Sequence, residues 1–352
     1  MVARVAADHP RQSNSVAAAT LLLAFAFAGT AHATVVFNVQ DYGAKADGAT
    51  NNTAAFSACL DALVAAGGGR MYLPAGVYLG RIVVPAIPAL AQSLAVEIVG
   101  DTEPMPRFGT VGTWPYRSNA TSIVQSLAAS GPAVITAASY GGGFSAVFMI
   151  IRNLEVRTYD NPAIGGVDLS AAQQCKLENV FINTDIYDIQ AAEPTHGTVG
   201  LATPAVNNAA WTILRSVAVT GYGTGILANE HTDGDGLSVC ANVRGISFAP
   251  ANHASRFGRV LGQRNAIHLA VLGAHGFSVQ QLAIENAGPG QLTDTNRWQA
   301  LRYDISDPGN QGAADVTYWV VEGNVGPISN FSKEGGASVR ARRIGSAPAC
   351  AA

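Results

Sequence analysis

Residues 38–78 read NVQDYGAKADGATNNTAAFSACLDALVAAGGGRMYLPAGVY, and this stretch decides the fold. Within it Phe56, Cys59, Leu60, Leu63 and Val64 recur at i, i+3, i+4, i+7 and i+8, so the large apolar side chains share one helical face. The spacing predicts a helix over residues 53–66 with one apolar side. Asn51, Asn52 and Thr53 offer side-chain oxygens to the free amides of its first turn, and Gly67, Gly68 and Gly69 supply positions free to take positive φ at its end. Met71-Tyr72-Leu73 then extends into the turn Pro74-Ala75-Gly76 and on to Val77-Tyr78, so strand, turn and strand follow the helix directly.

The string Asp41-Tyr42-Gly43-Ala44-Lys45-Ala46-Asp47-Gly48, the Asn-Thr-Ala-Ala-Phe helix start, the triple glycine and Tyr-Leu-Pro-Ala-Gly-x-Tyr resemble the N-terminal signature of the pectate-lyase superfamily. Rhamnogalacturonase-type and epimerase-like proteins are among its members. The resemblance covers about forty residues and implies a right-handed parallel β-helix; it says less about the reaction.

Outward from that stretch, Arg4 and Arg11 precede an uncharged run over residues 16–29 containing LLLAFAFAG, followed by the small-residue site Ala31-His32-Ala33. This is the pattern of a secretory signal peptide, expected to end at residue 33 and to deliver the protein outside the cell or to the periplasm. No later apolar run reaches a membrane-spanning length, so no membrane association is expected of the mature chain. The formal charge of −3 becomes −4 once Arg4, Asp8 and Arg11 leave, since two positive charges and one negative go; nucleic acid is therefore not expected as a partner. Residues 34–352 show no Pro-rich or charge-rich linker, which predicts one domain, expected to be monomeric. The four cysteines, Cys59, Cys175, Cys240 and Cys350, form no CxxC or Cys/His cluster. Their spacing gives no metal site and leaves structural bridges or buried thiols open.

Beyond residue 94 a six-residue frame recurs, apolar, any, polar or small, apolar, any, apolar. It begins at Ile151, Leu177, Leu214, Val243 and Val279, and more loosely at Val316. Second short strands follow glycine or a small residue at Val167, Ile226 and Ile267. A regular frame at irregular intervals is what stacked coils with variable loops produce. The alternation puts Leu154, Val180, Val217, Ile246 and Leu282 in one buried column, and Arg152, Glu178, Arg215, Arg244 and Gln280 in one outward ladder. That ladder is read either as a basic groove or as alternating ion pairs on a solvated face. Cys175 and Cys240 precede frames two coils apart, about 10 Å at the usual strand spacing, too far for a disulfide.

The strand-end sequence Asn183-Thr184-Asp185, with Asp188 three residues on, is similar to the Asn-Thr-Asp motif of polygalacturonase-type glycoside hydrolases. Gly234-Asp235-Gly236-Leu237-Ser238 resembles that family's Gly-His-Gly-Leu-Ser, with Asp235 in place of the histidine. The family's Asp-Asp pair between them is absent, since Gly221-Tyr222-Gly223 stands there. Hydrolysis with inversion needs one protonated and one ionised carboxyl about 6.5–9.5 Å apart, for which Asp185 or Asp188 and Asp233 or Asp235 are the candidates. Each of these segments is also an ordinary turn sequence. Arg215, Arg244, Tyr222 and His231 are the candidate substrate-binding residues. Loop aromatics such as Trp211, and the loop histidines His196 and His275, are further candidates.

The expectation is thus an all-β, right-handed parallel β-helix with an N-terminal capping helix, secreted, and acting on an acidic, pectin-like polysaccharide. Hydrolysis by carboxylates leads. Alternatives are β-elimination from a uronate polymer, and a glycan-binding or adhesion β-helix without turnover. No cofactor is expected of a hydrolase; a lyase would need a base, and a cation such as calcium to neutralise the uronate carboxylate.

Overall fold

The computed structural model describes residues 34–352 apart from 89–93, 105, 108–116, 119–120, 128–132, 142, 159–163, 185–197, 206–209, 251, 274–275, 286–298, 304–312, 323–338 and 344–352. The expected leader, residues 1–33, lies outside the described residues, and Thr34–Ala352 groups into one unit. Among the described residues no helix is long and apolar enough to cross a membrane.

The chain winds as a parallel β-helix, in the right-handed sense general for parallel crossovers. One long sheet runs through Gly69–Leu73, Leu94–Gly100, Ser145–Arg157, Ala172–Asn183, Trp211–Thr220, the pair Thr232–Asp235 and Leu237–Cys240, His253–Gln263, Gly276–Glu285, Ala313–Glu322 and Val339–Arg343. The second sheet stacks Ile82–Val84, Ile135–Ala137, Val167–Asp168, Val199–Ala202, Thr224–Ala228, Arg244–Phe248, Ile267–Val271 and Gln299–Tyr303. Between the sheets the inward residues form one core.

Successive coils of the long sheet bend at residues 153, 179, 216 and 236. Asn153, Asn179 and Ser216 take φ of 56°, 54° and 51°, and Gly236 takes 66°, each just before an inward apolar residue. The left-handed conformation costs an ordinary L-residue about 1–2 kcal/mol, while asparagine and glycine tolerate it. Asn179 Nδ2 reaches Asn153 Oδ1 on the next coil at 3.4 Å, so the bends themselves stack. The bend divides each strand into a first half, before residues 153, 179, 216 and 236, and a second half after them.

The register corrects the expected column. Leu154, Val180 and Val217 are buried and pair in line as predicted, but the line continues through Leu237, Val260 and Leu282. Ile246 is buried in the other sheet, between Ile226 and Leu269. Arg244 goes with it, registered with Thr224 and Ile267, so it is not a rung of the outward ladder. The cause is that both sheets alternate, and the coil at 232–240 hides its frame: Thr232 and Gly234 occupy its inward positions. Gly234 is small because Phe257 reaches across from the next coil, where a Cβ on residue 234 would meet Phe257 Cδ1 at 2.6 Å.

The helix spans Thr53–Ala65 and buries Phe56, Cys59, Leu60 and Leu63 in the same core as Met71, Leu73 and Ile82. Gly67, Gly68 and Gly69 end it with φ of 82°, 116° and 150°, as expected. Its start differs from expectation. Asn52 does not cap the helix but pins the preceding loop, accepting from the Lys45 amide at 2.7 Å and donating to the Lys45, Thr50 and Leu79 carbonyls. Asn51 accepts from the Thr53 amide, and Thr53 Oγ1 accepts from the Arg81 amide. Cys59, Cys175 and Cys240 are buried and form no disulfide among the described residues, and burial pushes Cys59 and Cys175 up to about 12; Cys350 lies outside the described residues.

Candidate functional site

Side chains that alternate outward from the first half of the long-sheet strands form one outer face, on which charged residues stand beside apolar ones such as Ile150 and Ile213. His231, Asp233 and Asp235 share it, because Thr232 and Gly234 between them turn inward and are buried. Asp233 registers with Ile213 on one neighbouring coil and Arg256 on the other. Asp235 registers with Arg215, which registers with Glu178, which registers with Arg152. The expected ladder is therefore one of alternating charge. Arg70 and Arg152 pair with Glu97, and Lys176 pairs with Glu178 at 2.9 Å. Lys176 holds the Glu178 carboxyl below the usual range. The Arg259 amide, donating to Asp235 Oδ1 at 2.9 Å, does the same for Asp235, helped by the Gly236 amide, Arg215 and the Arg259 charge. Gly258 makes room for that carboxylate, since a Cβ there would overlap Asp235 Oδ1.

The most concentrated chemistry lies where the second sheet turns into the long one. Glu230 is buried, 5 % exposed, and its Oε2 stands 3.3 Å from His231 Nδ1 and 3.4 Å from His253 Nδ1. The two imidazoles meet edge to face, centroids 4.2 Å apart. Each histidine side chain is about 30 % exposed, so one edge of each ring reaches solvent while the carboxylate lies beneath. The backbone fixes the corner: the Glu230 amide donates to the Pro204 carbonyl, Thr232 Oγ1 donates back to the Glu230 carbonyl, and the Thr232 amide donates to Ser255 Oγ. Trp211, 53 % exposed, immediately precedes Thr212, whose amide donates to the His231 carbonyl; an open aromatic therefore stands on the coil beside the histidine pair.

Of the residues singled out in the sequence, His231, Arg215, Asp233 and Asp235 lie on this outer face, His231 at the carboxylate corner and Asp235 at the far end of its strand. Tyr222 does not: it is fully buried, its hydroxyl 3.1 Å from Thr158 Oγ1, its amide donating to Asn242 Oδ1, and its phenol pushed up by burial. The glycines around it admit its ring into the core, so it is a packing residue and not a substrate contact. Asp185, Asp188, His196 and His275 lie outside the described residues. Of that motif Asn183 and Thr184 are described, both buried: Asn183 registers with Thr220 beyond the bend, not with Ile213 and Arg215 beside Asp233 and Asp235.

Glu230 and His253 were not singled out in the sequence. They carry no motif, and only the coil length brings them together: Thr232 and Ser255, which pair across the coils, are 23 residues apart, much the separation of His231 from His253. Two imidazoles and one carboxylate are a poor donor set for calcium, which takes six to eight oxygens. No calcium-dependent step is assigned to it.

The family described as "Rhamnogalacturonase A/epimerase, pectate lyase-like" matches residues 36–256. Similar sequences include "Mannuronan C5-epimerase AlgE3" of Azotobacter vinelandii, 62% identical over 42 residues, 12% of this chain and 2% of that protein. "Alginate lyase 7" of Azotobacter vinelandii is 55% identical over 42 residues, 12% of this chain and 5% of that protein. The chain thus spans a small part of the length of these relatives. Among solved structures, the Azotobacter vinelandii Mannuronan C-5 epimerase AlgE4 A-module is similar with a TM-score of 0.42 and 14% identity, covering 89% of this chain and 96% of that one.

Proposed function

We propose that this chain, which belongs to the rhamnogalacturonase A/epimerase, pectate-lyase-like family, is a polysaccharide-acting enzyme that moves a proton at a sugar carbon, with Glu230, His231 and His253 as its reactive centre. The observation that carries the reading is the buried carboxylate facing two half-exposed imidazoles. An imidazole that accepts a proton from substrate becomes a cation, and the Glu230 carboxylate 3.3–3.4 Å away stabilises that cation in a corner shielded from water. Trp211 offers an apolar face on which a sugar ring stacks.

The substrate class is an acidic polysaccharide built of uronates. Both printed activities among the relatives, C5-epimerisation and lyase cleavage, begin by removing the proton at the carbon that bears the carboxylate. Hydrolysis needs one carboxyl kept protonated beside an ionised one, and Asp235, held below its usual range, suits only the ionised role. Arg215 and Arg256, which register with Asp235 and Asp233, offer cations on this face to a substrate carboxylate. On the strength of the leader pattern in residues 1–33, the enzyme works outside the cell or in the periplasm.

The experiment is incubation of the purified protein with a panel of polyuronates in deuterium oxide. Deuterium at C5, or unsaturated ends, supports the reading; new reducing ends without either would replace it with hydrolysis.

A further inference from the structure

We propose that Glu230, His231 and His253 bind one divalent transition-metal ion of the zinc class. The inference shares its residues with the function proposed above, but the binding itself does not depend on that function. It rests on the donor set and its spacing. One ligand atom from each of the three residues lies within 4.8 Å of the others. Two donors each about 2.0–2.1 Å from a tetrahedral ion stand about 3.3 Å apart. The Glu230 Oε2 to His231 Nδ1 and Glu230 Oε2 to His253 Nδ1 separations are 3.3 and 3.4 Å. Those separations are longer than the roughly 2.7–2.9 Å of a charge-assisted hydrogen bond between the same groups. They are the edges of a coordination polyhedron before they are good hydrogen bonds.

Two imidazoles and a carboxylate suit zinc, copper or nickel and not a hard cation. Three protein ligands leave a fourth position open, and the partial exposure of both imidazoles puts that position on the solvent side. The corner is already rigid, because the backbone bonds at Glu230 and Thr232 hold both ends of the segment that carries His231. Binding therefore needs no more than small rotations of the two rings.

The ion and the proton-transfer role exclude one another, since a neutral imidazole bound to metal through Nδ1 carries its proton on Nε2 and has no lone pair left to take one from substrate. Occupancy by zinc should therefore silence the enzyme. The test is calorimetric titration of tag-free protein with zinc chloride, repeated with cobalt(II) to read coordination from its visible spectrum. One equivalent is expected to bind, with the absorption of a four-coordinate cobalt site. His231→Gln, His253→Gln and Glu230→Gln should each lose that equivalent, while Glu178→Gln, on the same face but outside the donor set, should keep it. Absence of uptake, or uptake unchanged in a His231→Gln/His253→Gln variant whose circular dichroism matches the parent, overturns the proposal. Deuterium exchange measured with and without zinc separates the two readings. Stoichiometric binding with exchange unaffected would leave the metal site standing and remove the proton-transfer role from these residues. Exchange activity without binding would do the reverse.

Discussion

His231 and His253, on adjacent coils, stand edge to face with ring planes 66° apart, and the carboxylate of Glu230 faces the Nδ1 atom of each. No local sequence pattern joins them. The parallel β-helix does so, because a coil that returns after about the same number of residues brings one turn's side chains beside the next.

Glu230→Gln keeps the shape of the buried side chain and removes the charge that stabilises a protonated imidazole. We expect kcat on a polyuronate to fall by about 10²- to 10⁴-fold, the usual range for loss of general acid–base assistance, with little change in melting temperature. Steady-state kinetics beside thermal unfolding check this; a variant that unfolds at the parental temperature and turns over normally would remove Glu230 from the site.

Trp211→Ala should act on binding instead. Its side chain is exposed, so its loss should raise KM with kcat nearly constant, by the about 0.5–1.5 kcal/mol typical of aromatic stacking. Equal falls in kcat and kcat/KM would mean that the tryptophan contributes in the transition state and not as a platform.

Sequence and structure agree where local chemistry decides. The helix face, the glycine stop and the column Leu154, Val180, Val217 are legible because burial of those side chains follows from 3.6-residue and two-residue periods alone. The coil at residues 232–240 was not, because Gly234 fills an inward position in place of a large apolar residue, and the reason for that is Phe257 on the next coil. Missing that coil carried Arg244 and Ile246 into the wrong sheet. Tyr222 differs from its expected role as a substrate-binding residue, since Gly166 and Gly200 make space for its ring in the core. The charge ladder could be read either way in the sequence, and the register of Arg152, Glu178, Arg215 and Asp235 decides it as a ladder of alternating charge.

The Gly234 explanation has its own test. Gly234→Ala overlaps Phe257 and Leu237 and should cost about 1–3 kcal/mol, as overpacked cores do. Adding Phe257→Leu should recover part of that loss, giving a favourable coupling in a double-mutant cycle of urea unfolding. Strict additivity would show that the two side chains do not compete for the same space.

The stacked bends predict a sharp contrast at one position. Asn179→Gly should leave stability nearly unchanged, whereas Asn179→Val forces a β-branched residue to φ near 54° and should cost at least the roughly 1–2 kcal/mol of a left-handed L-residue. Similar unfolding midpoints for the two variants would refute the bend.

Acid should loosen the N-terminal loop first. The amides of Thr50 and Ala49 and the Thr50 hydroxyl bind the Asp47 carboxylate and lower its pKa from 3.8 to about 2. A depressed carboxylate contributes stability that is fully present above its unfolded value and lost as pH falls through its folded value. The difference in stability between the parent and Asp47→Asn should therefore shrink as pH falls from about 4 towards 2, measured by urea unfolding across that window. A constant difference would show that the loop bonds do not depend on the charge.

The central claim is that a proton moves at Glu230, His231 and His253, and C5 deuterium incorporation into a polyuronate measures it most directly. The account predicts C5 deuterium or unsaturated product from the parent and the loss of both in His231→Ala and His253→Ala, with fold and melting retained. Incorporation undiminished in the two variants, or glycosidic cleavage with no deuterium at C5 and no unsaturated product, would contradict it.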